Sequence, residues 1–322
     1  MPKPEIPQSK IITPQVYTPQ DEEVDIRELI GIIWKGKWFI LCVSAIVAMW
    51  AVFYAISIPD EYKATVLLAP ASKSSSSSLS KLAGQYGGLA SLAGLSLGGG
   101  SGDDKTTISI ELMNTWGFLE KFIISNQLEI EVFATVGWDK SKNKLLIDET
   151  LYDEKNAKWL RVDKAGEISG EKPTSWELYK KIQGKIYINK NTETGLISLS
   201  IEHYSPFIAK KWVDLLVIAI NEHMQEQDRV EALNSIEYLK EQISKTNIAE
   251  MRSIFYQLIE EQTKTLMLAE INNEYVLKTI SSSKVPEEKS KPKRALLVIF
   301  WVAFAGGISV LIVLLRYFLT KK

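Results

Sequence analysis

Residues 205–283 read SPFIAKKWVDLLVIAINEHMQEQDRVEALNSIEYLKEQISKTNIAEMRSIFYQLIEEQTKTLMLAEINNEYVLKTISSS. The stretch has no glycine, and its one proline is at its second position. Ser205 can serve as N-cap and Pro206 as the first helical residue, where a missing N–H costs nothing. The filling is largely Ala, Leu, Glu, Lys and Gln, all good helix formers. Val230, Leu233, Ile236, Leu239 and Ile243 recur at three- and four-residue spacing, and Met251, Phe255 and Leu258 resume the pattern. This predicts two long helices, broken near Thr246-Asn247, where Thr or Asn can cap the second. A first helix over 206–245 would extend roughly 60 Å, far longer than an ordinary globular helix. So narrow a stripe faces either a copy of the same chain or, in an intramolecular hairpin, the returning helix. Leu233, Ile236 and Leu239 are the candidate contacts.

Working outward, two segments are apolar without interruption. Residues 38–58, WFILCVSAIVAMWAVFYAISI, carry no charge. As a helix they span about 31 Å, the thickness of a bilayer's hydrocarbon core. Trp38 and Tyr54 lie towards the two ends, as membrane-interface aromatics do. Residues 295–315, ALLVIFWVAFAGGISVLIVLL, form the second span on the same grounds. Gly306 and Gly307 interrupt it with small residues and are candidate membrane-helix contacts. Lys35 and Lys37 precede the first span, and Asp60 and Glu61 follow it. The positive-inside rule then places both termini in the cytoplasm. The basic cluster Lys289, Lys291, Lys293 and Arg294 runs against that rule locally, and could meet anionic headgroups or an acidic polymer.

The division read from the chain is a Pro-rich tail and interfacial helix (1–37), the first span (38–58), an outer region (59–294), the second span (295–315) and a short tail (316–322). The outer region, roughly 235 residues, suffices for one domain. Within it 61–68 and 196–202 alternate as strands, as does KIYIN at 185–189, and 191–195 is turn-prone. Residues 106–127 read as one helix. Residues 71–102 are Ser- and Gly-rich: a flexible loop, or a segment that touches the membrane or an oligomer's lumen. Trp138, Trp159 and Trp176 are expected to be core or helix-packing residues.

The net charge of the 322-residue chain is −1, which gives no electrostatic footprint for nucleic acid. Cys42 is the only cysteine, and His203 and His223 are the only histidines, expected to face solvent. There is no P-loop and no nucleophile elbow. No catalytic, cofactor-binding or metal-ligating residue is assigned, so function must come from shape, membrane placement and assembly.

Asp25, Leu29, Trp34, Lys37 and Trp38 lead into the first span, Pro59, Tyr62, Ala64, Leu67 and Pro70 follow it, and Pro286 and Pro292 precede the second. In these stretches the chain resembles the Wzz-type chain-length determinants, the polysaccharide co-polymerases of the Gram-negative inner membrane. The first group matches the family's approach to the membrane. Pro59, Tyr62, Ala64, Leu67 and Pro70 resemble its first outer strand. Ala209–Trp212, 256–262 and 266–269 are similar to its extended helix and return. Pro286, Pro292 and the glycine pair resemble its proline-rich entry to the second span. In two departures, Lys291 separates Ser290 from Pro292, and Gly306-Gly307 is no GxxxG.

The resemblance implies an α+β protein: two transmembrane helices bracketing a periplasmic α/β base with a long helical hairpin at about 205–283. It implies a two-pass inner-membrane protein forming a ring-like homo-oligomer. The implied role is non-enzymatic control of O-antigen length, with an inner-membrane polysaccharide polymerase acting on lipid-linked glycan. The alternatives are a capsule or exopolysaccharide export co-polymerase with a separate kinase, and a periplasmic adaptor of a secretion machine.

Overall fold

The computed structural model describes residues 31, 34–71, 102–161 and 170–320. The interfacial helix read at 21–36 lies mostly outside the described residues, as does the Ser/Gly-rich segment at 71–102. The chain forms two compact units, residues 56–294 and the two flanking segments together.

The 56–294 unit is built on β1 (Glu61–Pro70), whose Ala64, Val66 and Leu68 are buried on one face. That alternation is what a half-buried strand requires. Two helices follow, α2 (Gly102–Leu112) and α3 (Trp116–Ser125). The single helix expected over 106–127 is thus two, broken where Thr115 takes an extended backbone and becomes the N-cap of α3. Next come the short α4 (Glu129–Phe133) and the hairpins β2 (Thr135–Asp139) with β3 (Lys144–Ile147) and β4 (Tyr152–Asp153) with β5 (Lys158–Trp159). Helix α5 (Ser175–Gln183) opens with a capping box, in which the Glu177 N–H donates to Thr174 Oγ1 and Thr174 N–H donates to Glu177 Oε2 at 2.8 Å. Strands β6 (Ile186–Lys190) and β7 (Ile197–His203) flank a turn in which Gly195 takes a φ of +70°.

Helix α6 (Pro206–Lys245) has 40 residues, and α7 (Ala249–Ile271) returns beside it. The expected hairpin over 205–283 stops at Ile271. The remainder enters the sheet as β8 (Leu277–Ser281), and β9 (Lys289–Lys291) follows. The sheet order is β6-β7-β1-β8 with β9 on the start of β1, every pairing antiparallel. Ser205 does start α6, but its side chain makes no cap hydrogen bond. Thr246 is the C-cap of α6, and the N-cap of α7 is Ile248, not Thr246 or Asn247.

The core lies between the sheet and the first half of α6. Trp212, Val213, Leu216 and Ile220 are completely buried against Leu68, Leu199 and Ile201. Leu119, Phe122 and Ile123 of α3 and Leu178 and Ile182 of α5 complete it. Past Met224, only Asp228, Ala232 and Leu239 of α6 are buried, and on α7 only Ala269. A two-helix ribbon has no third layer to cover it, so most of its apolar side chains stay accessible. Trp159 is buried in the core, whereas half-buried Trp138 packs on Phe207 of α6 and exposed Trp176 packs on Trp116 of α3, the two roles expected of these tryptophans.

The other unit contains α1 (Lys37–Ser57) and α8 (Arg294–Thr320). Both are long and apolar enough to cross a membrane. Its buried described residues are all small: Ala51 and Ala55 on α1, Ala305 and Ser309 on α8.

Candidate functional site

Three constellations of polar side chains set the shape of the 56–294 unit. The first holds the root of α6. Glu131, on α4, accepts from the Trp212 indole N–H at 2.8 Å and from the Lys211 ammonium at 2.9 Å. The His203 ring lies against Trp212, with ring centroids 4.8 Å apart. His203 Nδ1 accepts from Ser205 N–H at 3.1 Å, which leaves Nε2–H to donate to the Glu131 carbonyl at 3.4 Å. His203 is therefore completely buried, contrary to the solvent-facing position expected for it.

Burial, reinforced by the nearby Lys185 charge, pushes the His203 pKa down to about 3. Its folded pKa lies below the unfolded value, so the unfolded chain binds more protons between the two. Stability is full above about pH 6.5 and falls as the solution is acidified, by up to about 1.4 kcal/mol per unit. The 56–294 unit should unfold more readily at pH 5 than at pH 7. His203→Asn, which keeps an acceptor for Ser205 N–H, should flatten that dependence. Denaturant midpoints across pH would check it, and an equal slope in the variant would remove His203 as the cause.

The second constellation ties the returning chain to α6. Asp214, Asn221, Gln225 and Asp228 are spaced seven, four and three residues apart, which puts them on one side of the helix. Asp214 Oδ1 accepts from Ser283 Oγ at 2.5 Å. Asn221 accepts from the N–H groups of Val276 and Leu277 and donates to the Leu277 carbonyl. Gln225 donates to the Ala269 carbonyl. Asp228 accepts from Tyr275 and forms an ion pair with Lys105 of α2 at 2.6 Å. Burial and the Asp228 hydrogen bond hold the Tyr275 hydroxyl protonated well above its ordinary range. These four residues interrupt the apolar periodicity of α6, a signal that points to specific partners but does not name them.

The third constellation closes the sheet edge at β9. Lys291 Nζ bonds Glu202 Oε2 at 2.6 Å and Tyr187 Oη at 3.0 Å. These contacts raise its pKa. Ser290 Oγ donates to the Glu61 carbonyl, and Lys289 and Arg294 both reach Asp60. Three members of the basic cluster 289–294 thus hold carboxylate partners inside the unit, while the Lys289 and Lys291 side chains remain partly exposed. Among the motif residues, Pro59 is exposed, Tyr62 packs edge-on to Trp138, and Pro70 ends β1 opposite Leu277. Pro286 and Pro292 are half-buried in the chain leading to α8.

The candidate stripe divides. Leu239 is buried within one copy, Ile236 is half-buried, and Leu233 is 42% exposed. In the α1–α8 unit a Cβ on Gly36 would sit 2.7 Å from Val313 Cγ1. A Cβ on Gly306 would meet Ser44 Oγ at 3.8 Å, and one on Gly307 would meet nothing within 4 Å. The close approach in this pair is therefore at Gly36, which sequence reading passed over because it precedes the apolar run. Among the described residues no group of three His, Cys, Asp or Glu could hold a metal.

Residues 22–125 match the family model described as Wzz, chain length determinant protein. No curated protein matches the chain. Among solved structures, a full-length bacterial polysaccharide co-polymerase is 12% identical, with 92% of this chain and 99% of that one covered and a TM-score of 0.36. A fragment of WzzB, a polysaccharide co-polymerase from Salmonella Typhimurium, is 10% identical, with 72% of this chain and all of the fragment covered and a TM-score of 0.27. At these TM-scores neither likeness bears on fold or function.

Proposed function

We infer that this chain, whose residues 22–125 match the chain length determinant model, is a Wzz-type polysaccharide co-polymerase that controls glycan length. The family match carries the reading. Two helices suited to a membrane, with an α+β unit between them in sequence, support it. The protein acts without catalysing a reaction itself. It sits in the bacterial inner membrane with both termini in the cytoplasm and the 56–294 unit in the periplasm. There it works with a polysaccharide polymerase on lipid-linked O-antigen repeats, as a homo-oligomer.

Deleting the gene and separating the surface polysaccharide on a gel tests this. A broadened or shifted ladder of chain lengths is expected. Loss of surface polymer would point instead to export of capsule or exopolysaccharide. An unaltered ladder with drug sensitivity would point to an adaptor of a secretion machine. Reporter fusions after Asp60 and after Lys284 should be active only outside the cytoplasm, and a cytoplasmic signal from either would overturn the topology.

The assembly face uses the accessible part of the α6 stripe, Leu233 with Ile236. Leu239 lies inside the protomer and drops out of that face. Moving such a side chain from a buried contact to water costs about 1.5–3 kcal/mol. Leu233→Glu should therefore weaken the oligomer and leave the protomer's unfolding midpoint in place. Leu239→Glu should lower that midpoint itself. Light scattering beside denaturant unfolding separates the two, and identical behaviour of both variants would refute the division.

Gly306 and Gly307 serve as contacts of the second span. The open space at Gly307 makes it the better contact for a neighbouring subunit or the polymerase. Gly307→Leu should insert at normal abundance and lose length control. A normal ladder from that variant would end the idea.

A further inference from the structure

A groove bounded by α3, α6 and the end of α7 shares only the Gln225–Ala269 contact with the constellations described above. It holds about 670 Å3, within the size range of small-ligand sites. Phe118 and Phe122 of α3 line its base, and the His223 ring stands edge-on to Phe118 at 5.7 Å between centroids. Glu226 and Arg229 on its rim are committed to each other through two hydrogen bonds of 2.7 Å. Lys121, Ser125 and Glu222 also line it, and among the described residues their side chains make no hydrogen bond or ion pair. An ammonium, a hydroxyl and a carboxylate therefore line one space together with the accessible edges of aromatic rings.

The ligand chemistry follows from that mixture. The lining carries three carboxylates, Glu222, Glu226 and Glu270, against two cations, Lys121 and Arg229, so it does not concentrate a polyanion. It is also too polar for an acyl chain. A sugar ring fits: its hydroxyls donate to a carboxylate and accept from an ammonium, and its C–H face rests on an aromatic edge. We propose that this groove holds a short segment of the glycan whose length the protein controls. The proposal rests on the co-polymerase reading and gives it a place of contact. Two of the three walls, α6 and α7, are the arms of the long hairpin, and α3 comes from the family-matched segment.

The test uses the full chain in lipid nanodiscs. The probe is the oligosaccharide of one to three repeats, released by mild acid from the producing cell's own surface polysaccharide. Calorimetric titration should show saturable binding. The double variant Glu222→Gln with Lys121→Ala should bind about tenfold more weakly or worse, because the charged acceptor becomes a weaker neutral one and the ammonium donor is lost. Both side chains are exposed, so circular dichroism and oligomer size should not change. No saturable binding by the wild type, or equal binding by the variant, would overturn the proposal. If that happens while gene deletion still shifts the glycan ladder, the groove fails and the co-polymerase reading stands. If the variant loses binding while deletion leaves the ladder unaltered, the groove stands as a glycan site and the reading of length control fails.

Discussion

Trp212→Ala is expected to destabilise the 56–294 unit by about 3–5 kcal/mol, the usual cost of emptying a tryptophan's space in a core. Trp212 is completely buried at the root of α6, between the sheet and α4. Its removal takes away the largest of the fully buried side chains and the 2.8 Å donor to Glu131. Glu131 would keep only the Lys211 ammonium. The same change also uncovers His203, whose ring leans on the indole. Trp212→Phe should cost less, since it keeps most of the volume and loses the hydrogen bond. Denaturant unfolding of the purified chain, followed by circular dichroism, would measure both. A loss under about 1 kcal/mol for the alanine variant would be surface behaviour and would contradict this packing.

Asn221→Leu is the second large effect, and it arises although leucine keeps the branching and heavy-atom count of the side chain. Asn221 is buried and serves three backbone groups of the returning strand, the N–H of Val276 and the N–H and carbonyl of Leu277. A leucine there leaves these groups without their partner in a buried place, at about 1–3 kcal/mol each before relaxation. The expected loss is thus on the order of 3 kcal/mol or more. It should be local at first. Hydrogen exchange at Val276 and Leu277 should speed up before the amides of β7, because β8 pairs with the sheet only through β1. Protection at Val276 and Leu277 that matches the wild type would show that Asn221 is not what seats the strand.

Much of this architecture was legible in local pattern. The 40 helical residues of α6 fall where an unbroken run of helix formers begins after Pro206. Strand β1 shows its alternation in Ala64, Val66 and Leu68, and the two apolar helices are plain from length and lack of charge. These features depend on period, propensity and transfer from water, which each short segment carries by itself.

What local pattern did not carry was the partner of each polar group. Strand β9 is Lys-Ser-Lys, with nothing apolar to mark it, and it exists because β1 offers a free backbone edge opposite Glu61 and Tyr62. Likewise, nothing near His203 in the chain announces that Trp212 and Glu131 enclose it. The basic cluster at 289–294 reads as a surface until Glu202, Tyr187 and Asp60 come to meet it. The exposed and covered members of one stripe, Leu233 and Leu239, are alike in sequence and differ only in where the second helix lies.

The sequence by itself determined two helices long and apolar enough to cross a membrane, a strand to open the sheet and a helical hairpin, because burial of apolar surface follows periodicity. Only the tertiary structure decided where the hairpin ends, which charges are paired and which groove stays open. Those depend on residues as far apart as Lys105 and Asp228, or Lys289 and Asp60, whose attraction begins to count only after the chain has brought them within hydrogen-bond reach.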